Sequence, residues 1–112
     1  MYDQLSDEEY PIELNKLLKK HLNKEKHNVK NILKNYFNKS YSSIKRRYQI
    51  CCWKTICAMY EEFRLEFALE SLKENYCMVV MRELGFRDES NFAKWFRRHK
   101  DMNPSEYKRM HE

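Results

Sequence analysis

The fold is decided by residues 85–98, whose sequence is GFRDESNFAKWFRR. The stretch opens on Gly85, the one glycine of the chain, at the end of an apolar helical stripe in residues 77–84. Asp88 is suited to cap a new helix, and phenylalanines four and eight positions beyond it would face the core. The pattern predicts a helix, a tight turn through positive φ at Gly85 and a second helix, which together form a helix-turn-helix unit.

The same pattern occurs 48 residues earlier, since Ser40 aligns with Asp88 (88 − 40 = 48). An apolar stripe in residues 29–36 precedes Ser40, and two core residues follow this cap at the same spacing. The first unit has no glycine, so Asn38 is expected to adopt the left-handed conformation in its turn. The chain therefore contains two predicted helix-turn-helix units.

Residues 55–75 contain no helix breaker and predict one long linker helix with two apolar faces. Its 21 residues would span about 32 Å. We expect a first unit in residues 1–53, a linker helix in 54–75 and a second unit in 76–112. The two faces comprise Ile56, Met59, Tyr60, Phe63 and Phe67 on one side and Leu65, Ala68, Leu69 and Leu72 on the other.

Two flanking helices complete the predicted architecture. An amphipathic stripe would cover the first unit, and a short helix at residues 105–110 would pack Tyr107 on the second unit. One glycine and two prolines leave little material for β-turns. We predict an all-α, homeodomain-like fold of seven helices without strands. The N-terminal stripe consists of Ile12, Leu14, Leu17, Leu18 and Leu22.

The composition excludes several functional classes. No apolar run approaches the roughly 20 residues of a spanning helix, and a single glycine cannot build a phosphate-binding loop. The four cysteines and four histidines show no metal-ligand spacing, so we expect no metal, no cofactor and cysteines that serve as small core residues. The acidic N-terminus lacks the features of a leader, which favours a cytoplasmic protein.

The charge is concentrated. The net charge is +5, but residues 15–60 contain twelve Lys or Arg against the single acid Glu25. A run of this kind forms either a solvated helix face or a surface for a polyanion.

The second unit resembles the signature of the AraC/XylS family of transcription regulators. The family pattern Gly-Phe-x-Asp-x-Ser-x-Phe-x-x-x-Phe-Lys, followed by Pro-Ser-x-Tyr-Arg, is matched in spacing by residues 85–97 and 104–108. Residues 40–48 and 64–72 resemble the family's first recognition helix and its linker helix. Trp53 and Asp101 stand where the family commonly has glycine after each recognition helix.

The resemblance implies double-stranded DNA as the partner, with both recognition helices in adjacent major grooves. The predicted linker length is close to the ~34 Å pitch of B-DNA. Helix geometry then selects the outward residues as base readers, and Arg46 is the strongest candidate because a guanidinium pairs bidentately with guanine. The candidates are Ser42, Lys45, Arg46 and Gln49 in the first unit and Glu89, Ser90, Asn91, Lys94 and Arg97 in the second.

A further set of basic residues is assigned to the phosphates, which set register and salt-dependent affinity. For each of them, simple solvation is the alternative. The set consists of Lys39, Arg47, Arg98, Lys100 and Lys108.

Three features of the linker and its neighbours have structural interpretations. The resemblance implies that Arg64 pairs with a carboxylate or caps carbonyls where a unit meets the linker, which is a structural role. Trp95 is expected to pack in the core or on the surface of its unit, with base stacking as the alternative. The linker glutamates should point away from the phosphates, as a solvated face or a candidate contact for RNA polymerase; they are Glu61, Glu62, Glu66, Glu70 and Glu74.

The function that this sequence favours is that of a bacterial, nucleoid-associated transcription regulator, more often an activator in such a family. The alternative is a helical adaptor that uses its basic surface to bind an acidic protein or RNA. No arrangement of carboxylates, nucleophile and base, or metal ligands indicates an enzyme.

Overall fold

The computed structural model describes residues 5–111. This part of the chain forms seven helices and no strand, in a body of 47 × 24 × 21 Å, which confirms the all-α prediction. The helices are α1 (Glu9–Lys20), α2 (Lys26–Phe37), α3 (Tyr41–Cys52), α4 (Ile56–Leu72), α5 (Cys77–Glu83), α6 (Glu89–Lys100) and α7 (Pro104–Met110).

The first core is formed by α1, α2, α3 and the N-terminal half of α4. Leu14 and Leu18 of α1 are fully buried in it, as the apolar stripe predicts. Ile12 was expected in that stripe, but it is exposed, and Tyr10, two residues earlier, is buried instead. The buried members of the first core are Tyr10, Leu14, Leu18, Val29, Leu33, Phe37, Ile44, Tyr48, Ile56, Tyr60 and Phe63.

The second core is formed by α5, α6, α7 and the C-terminal half of α4. Phe67 was expected on the face of α4 that serves the first core, but it packs against the second, since it lies near the end of the helix that the second unit covers. The two ends of α4 thus serve different cores, as its two apolar faces predict. The members are Ala68, Leu72, Val80, Met81, Leu84, Phe92, Trp95, Phe96 and Tyr107.

The linker helix is shorter than expected. Thr55 is its cap, accepting a hydrogen bond from the Ala58 amide at 3.0 Å, and the helix ends at Leu72 rather than at residue 75. The side-chain amide of Asn75 donates to the Ser71 carbonyl and hydroxyl at 3.3 and 3.2 Å, so a polar side chain closes this end. The 17 residues of α4 span about 26 Å instead of 32 Å.

The turns confirm the predicted backbone conformations. Asn38 is left-handed with φ 54°, and Gly85 has φ 82°. Gly85 ends α5 in a Schellman arrangement, in which the Phe86 amide donates to the Met81 carbonyl at 3.0 Å. The Ser40 hydroxyl and the Asp88 carboxylate accept amide hydrogen bonds at the starts of α3 and α6, as expected of caps.

A capping box precedes α1. The Ser6 hydroxyl accepts from the Glu9 amide at 3.1 Å, and the Glu9 carboxylate accepts from the Ser6 amide at 3.2 Å. These bonds from Ser6 lower the pKa of Glu9. Leu5 packs against the first core, so the segment that enters α1 is fixed at both ends.

The cysteines differ from the expectation of core residues. All four are free and only half-buried, and burial raises the pKa of Cys77 and Cys51. Cys52 and Cys77 pack at the edges of the two cores, one in each. Among residues 5–111, no helix has the length and apolar character needed to cross a membrane.

The two units touch each other directly at Gly85. A Cβ atom built on Gly85 would lie 2.3 Å from the carbonyl oxygen of Asn23, in the loop between α1 and α2. This distance leaves no room for a side chain, because the obstacle is backbone. The turn of the second unit therefore rests on a loop of the first.

We predict that Gly85→Ala lowers the free energy of unfolding by at least about 2 kcal/mol, since it combines a positive φ with a clash against backbone. Urea unfolding followed by circular dichroism measures the loss. Glu83→Ala, at an exposed position of α5, is the control and should stay within about 0.5 kcal/mol of the unsubstituted chain. Equal stability of the Gly85→Ala variant would contradict the contact with Asn23.

Candidate nucleic-acid interface

The outer face of α3 carries the base-reading candidates of the first unit. Ile44 and Tyr48 are buried, and this fixes the opposite side of the helix toward solvent. The Tyr48 hydroxyl donates to the Asn15 side-chain oxygen at 2.6 Å, which ties α3 to α1. Burial is the main cause that raises the pKa of Tyr48, and the nearby Cys52 adds to the increase. The candidates on the outer face, all exposed, are Ser42, Lys45, Arg46 and Gln49.

The same face of α3 ends in apolar residues that the sequence did not single out as surface. Ile50 is 70% exposed and Trp53 is 91% exposed. With Arg46 and Gln49 they line an open hollow of about 450 Å³. Trp53 lies in the left-handed region with φ 63°, a conformation that favours glycine.

The outer face of α6 carries the candidates of the second unit. Phe92 and Phe96 are buried, so α6 turns the side equivalent to that of Ile44 and Tyr48 in α3 toward its core. The Arg97 guanidinium donates to the Asn103 side-chain oxygen at 3.2 Å, which holds one reader against the start of α7. The exposed candidates are Glu89, Ser90, Asn91, Lys94 and Arg97.

The phosphate candidates fall into two groups. Lys39, just before α3, and Arg98, on α6, are exposed, and Lys100, the last residue of α6, is half-buried. Arg47 instead turns toward the N-terminal segment, where it donates to the Leu5 carbonyl at 2.6 Å. Its guanidinium also lies 3.5 Å from Asp7 and 4.1 Å from the centre of the Tyr10 ring.

Lys108 is also directed into the protein. Its ammonium donates to the Leu72 carbonyl at 3.2 Å and lies 5.9 Å from the centre of the Tyr76 ring. Arg47 and Lys108 therefore have structural partners, and both were expected on phosphates. These contacts were not predictable from the sequence, because the partners of Arg47 lie about 40 residues away and that of Lys108 lies 36 residues away.

Three exposed bases near the recognition helices were missed. Lys34 and Arg82 occupy equivalent positions in the two units (82 − 34 = 48), and Arg87 is the equivalent of Lys39 (87 − 39 = 48). Arg82 and Arg87 border a hollow of about 690 Å³ beside the Gly85 turn. The 48-residue offset was the signal that would have found them.

The joint between the two units is built around Arg64 of α4. Its guanidinium donates to the Leu22 carbonyl at 3.1 Å, to the Leu84 carbonyl at 2.9 Å and to the Glu61 carboxylate at 3.2 Å. It also lies 4.8 Å from the centre of the Phe86 ring. The expectation that Arg64 pairs with a carboxylate and caps carbonyls is confirmed.

Tyr60 reinforces the joint from the same helix. Its hydroxyl oxygen lies 2.7 and 2.6 Å from the carbonyl oxygens of His21 and Lys24, which share its one donor hydrogen. Burial raises the pKa of Tyr60. Burial, and then the neighbouring lysines 20 and 24, lower the pKa of His21.

Glu61 differs from the other glutamates of the linker. Its side chain is 22% exposed, and its carboxylate accepts from the Trp95 indole at 2.6 Å as well as from Arg64. It was expected on a solvated face. Glu62 and Glu70 do lie at the surface, where they pair with Lys54 and Lys73. Trp95 is buried, as expected, and is bonded to the linker helix.

Within residues 5–111 no three His, Cys, Asp or Glu side chains lie close enough to hold a metal ion. The geometry provides a pair of capped, solvent-facing helices with polar and basic outer faces on one frame. This arrangement is typical of helix-turn-helix DNA-binding proteins.

Comparison with known proteins identifies the family. A family model described as a helix-turn-helix domain, of the AraC type, matches residues 33–110. The chain belongs to the AraC-type helix-turn-helix family of DNA-binding transcription regulators.

A solved structure is similar in fold. The C-terminal domain of AraT, a response regulator from Geobacillus stearothermophilus, superposes with a TM-score of 0.75 over 90% of this chain and 84% of that chain, at 16% sequence identity. No curated protein sequence matches the chain.

We predict that Arg64→Ala lowers the free energy of unfolding by about 2–4 kcal/mol, because two carbonyls and Glu61 lose a charged donor in a mostly buried site. Arg64→Lys should recover only part of this loss, since an ammonium lacks the forked geometry of the guanidinium. Thermal and urea unfolding measure both changes. Arg109→Ala, at an exposed site in α7, is the control, and a similar loss in it would contradict a specific role of Arg64.

Proposed function

We propose that this chain is a sequence-specific regulator that inserts α3 and α6 into adjacent major grooves of one DNA duplex. The observation that carries the proposal is the pair of equivalent, outward-facing helices, whose exposed faces contain Arg46 in one unit and Lys94 in the other. Successive major grooves lie about 34 Å apart on one side of B-DNA. The 47 Å length of the body is sufficient to reach both.

Base reading is assigned to the exposed faces of α3 and α6. Arg46 lies at the centre of the outer face of α3 and pairs with the O6 and N7 atoms of a guanine. Asn91 and Lys94 have donors suited to adenine and guanine edges. The remaining readers are Ser42, Lys45, Gln49, Glu89, Ser90 and Arg97.

Phosphate contacts are assigned to exposed bases on either side of the recognition helices. Lys39, Arg98 and Lys100 keep this role, and the equivalents Lys34, Arg82 and Arg87 join them. Arg47 and Lys108 are left out because the chain itself supplies their partners. About six phosphate contacts would result, on a site of about 20 base pairs.

Transcription would be altered through a protein contact on the side of α4 that faces away from the DNA. Glu62, Glu66 and Glu70 are exposed on α4, Glu74 is exposed just beyond its end, and together they suit a basic surface of RNA polymerase, as an activator requires. The units 1–53 and 76–112 act as two probes and 54–75 as their spacer. We place such a regulator in the bacterial cytoplasm, on the nucleoid.

A second candidate function is favoured by one observation. Ile50 and Trp53 expose a large apolar area at the end of α3, and such area is typical of a protein-binding surface. In this alternative the chain is an adaptor, and its basic faces bind an acidic partner.

One test of the proposed function is the salt dependence of DNA binding. If six phosphates are contacted, the logarithm of the binding constant for duplex DNA should fall with the logarithm of salt concentration with a slope near −5. The duplex is chosen by selection from a random library, and binding is measured by fluorescence anisotropy between about 50 and 200 mM salt. The same weak affinity for every duplex, or none, would favour the adaptor.

Another test separates base reading from phosphate binding by replacing an arginine with alanine at two positions. Arg46→Ala should cost about 1–3 kcal/mol on the selected duplex and relax the preference at one base pair. Arg98→Ala should weaken all duplexes alike and make the salt slope shallower by about 1. Competition binding against a panel of single-base variants measures both effects. Equal losses on every duplex for Arg46→Ala would reassign Arg46 to a phosphate.

A further inference from the structure

Glu61 is the link between the linker helix and the second recognition helix. Its Oε2 atom accepts from the Trp95 indole at 2.6 Å and lies 3.8 Å from Nε2 of His99. Trp95 and His99 are one turn apart on α6, and their rings lie 5.2 Å apart. The inner side of α6 is therefore held at Trp95 by one carboxylate of α4, and His99 lies close to the same oxygen one turn further on.

The other oxygen of the carboxylate connects this contact to the first unit. Oε1 of Glu61 accepts from Arg64, and Arg64 donates in turn to the Leu22 carbonyl of the first unit. The guanidinium also lies 5.2 Å from the centre of the Trp95 ring. A continuous path of polar contacts thus runs from the loop after α1 to the inner side of α6.

The first unit has a corresponding anchor of different chemistry. Arg47 is the equivalent of Trp95 (95 − 47 = 48), and it also turns inward, to the Leu5 carbonyl. Each recognition helix is thus fastened at the same position of its inner side. In the second unit the partner of Trp95 is Glu61 of α4, the helix that both units share. This contact therefore affects the placement of α6 relative to α3.

We propose that Glu61 is a positioning residue that sets the angle of α6 on the linker helix and thereby the spacing of the two half-sites that the chain accepts. The inference rests on the proposed function. One added base pair turns the second half-site by about 35° and moves it by about 3.4 Å. A rigid pair of probes penalises such a change, whereas a loosely held α6 adapts to it.

The test uses the selected duplex and versions with one or two base pairs inserted or removed between the half-sites. The unsubstituted chain should lose at least about tenfold in affinity for a change of one base pair, since contacts of one half-site are lost. Glu61→Ala should reduce this penalty to about threefold or less. Binding is measured by fluorescence anisotropy at constant salt.

Two further variants keep the test independent of folding. Trp95→Phe removes the indole donor but keeps an aromatic ring in the core, and it should flatten the spacing profile in the same direction. Glu83→Ala removes an exposed carboxylate of α5 in the same unit, and it should leave the profile unchanged. Circular dichroism confirms that each variant is helical.

The outcomes are distinct. A flattened profile in Glu61→Ala and Trp95→Phe, but not in Glu83→Ala, supports the inference. A uniform loss at every spacing, with the optimum as sharp as before, overturns it and leaves Glu61 as a stabilising residue only. Failure of the unsubstituted chain to prefer any duplex overturns the proposed function, and the inference with it.

Discussion

The relative placement of the two units depends on the Arg64 guanidinium. Its side chain is only 13% exposed, and it satisfies the carbonyls of Leu22 and Leu84, one from each unit. These carbonyls belong to a loop and a helix end, where the backbone has no partner of its own. Since α4 contributes to both cores as well, the two units share one frame, and neither can turn without breaking bonds at the joint.

The left-handed residues show what a glycine is needed for in this chain. Asn38, Trp53 and Asp101 adopt φ between 54° and 63° without being glycine, and the strain costs of order 1 kcal/mol at such a residue. Gly85 is different because its missing Cβ makes room for the Asn23 carbonyl. Strain at an exposed turn is tolerated, whereas a Cβ at Gly85 would collide with the Asn23 backbone and push the units apart. The one glycine lies where no side chain fits.

Local features were predictable and distant partners were not. The caps Ser40 and Asp88 and the turn at Asn38 follow from interactions within a few residues, so the sequence alone reveals them. Periodicity gives the side of a helix but not what covers it. Glu61 was therefore expected on a solvated face, because its partner Trp95 lies 34 residues away in the sequence. For the same reason the outer faces of α3 and α6 were predictable, while the inward turn of Arg47 was not.

The two probes are equivalent in fold but different in surface, and this difference bears on the site that they would read. The end of α3 presents Ile50 and Trp53, whereas the equivalent positions of α6 carry Arg98 and Asp101. Apolar atoms suit thymine methyl groups, whereas Arg98 is assigned to a phosphate, which carries no sequence information. The proposed base readers differ as well, since Arg46 and Gln49 of α3 correspond to Lys94 and Arg97 of α6. Under the proposed function the two half-sites must therefore differ in sequence. One chain then binds an asymmetric site in a defined direction without the two-fold symmetry of a dimer, and the acidic side of α4 always faces the same way relative to the start of transcription.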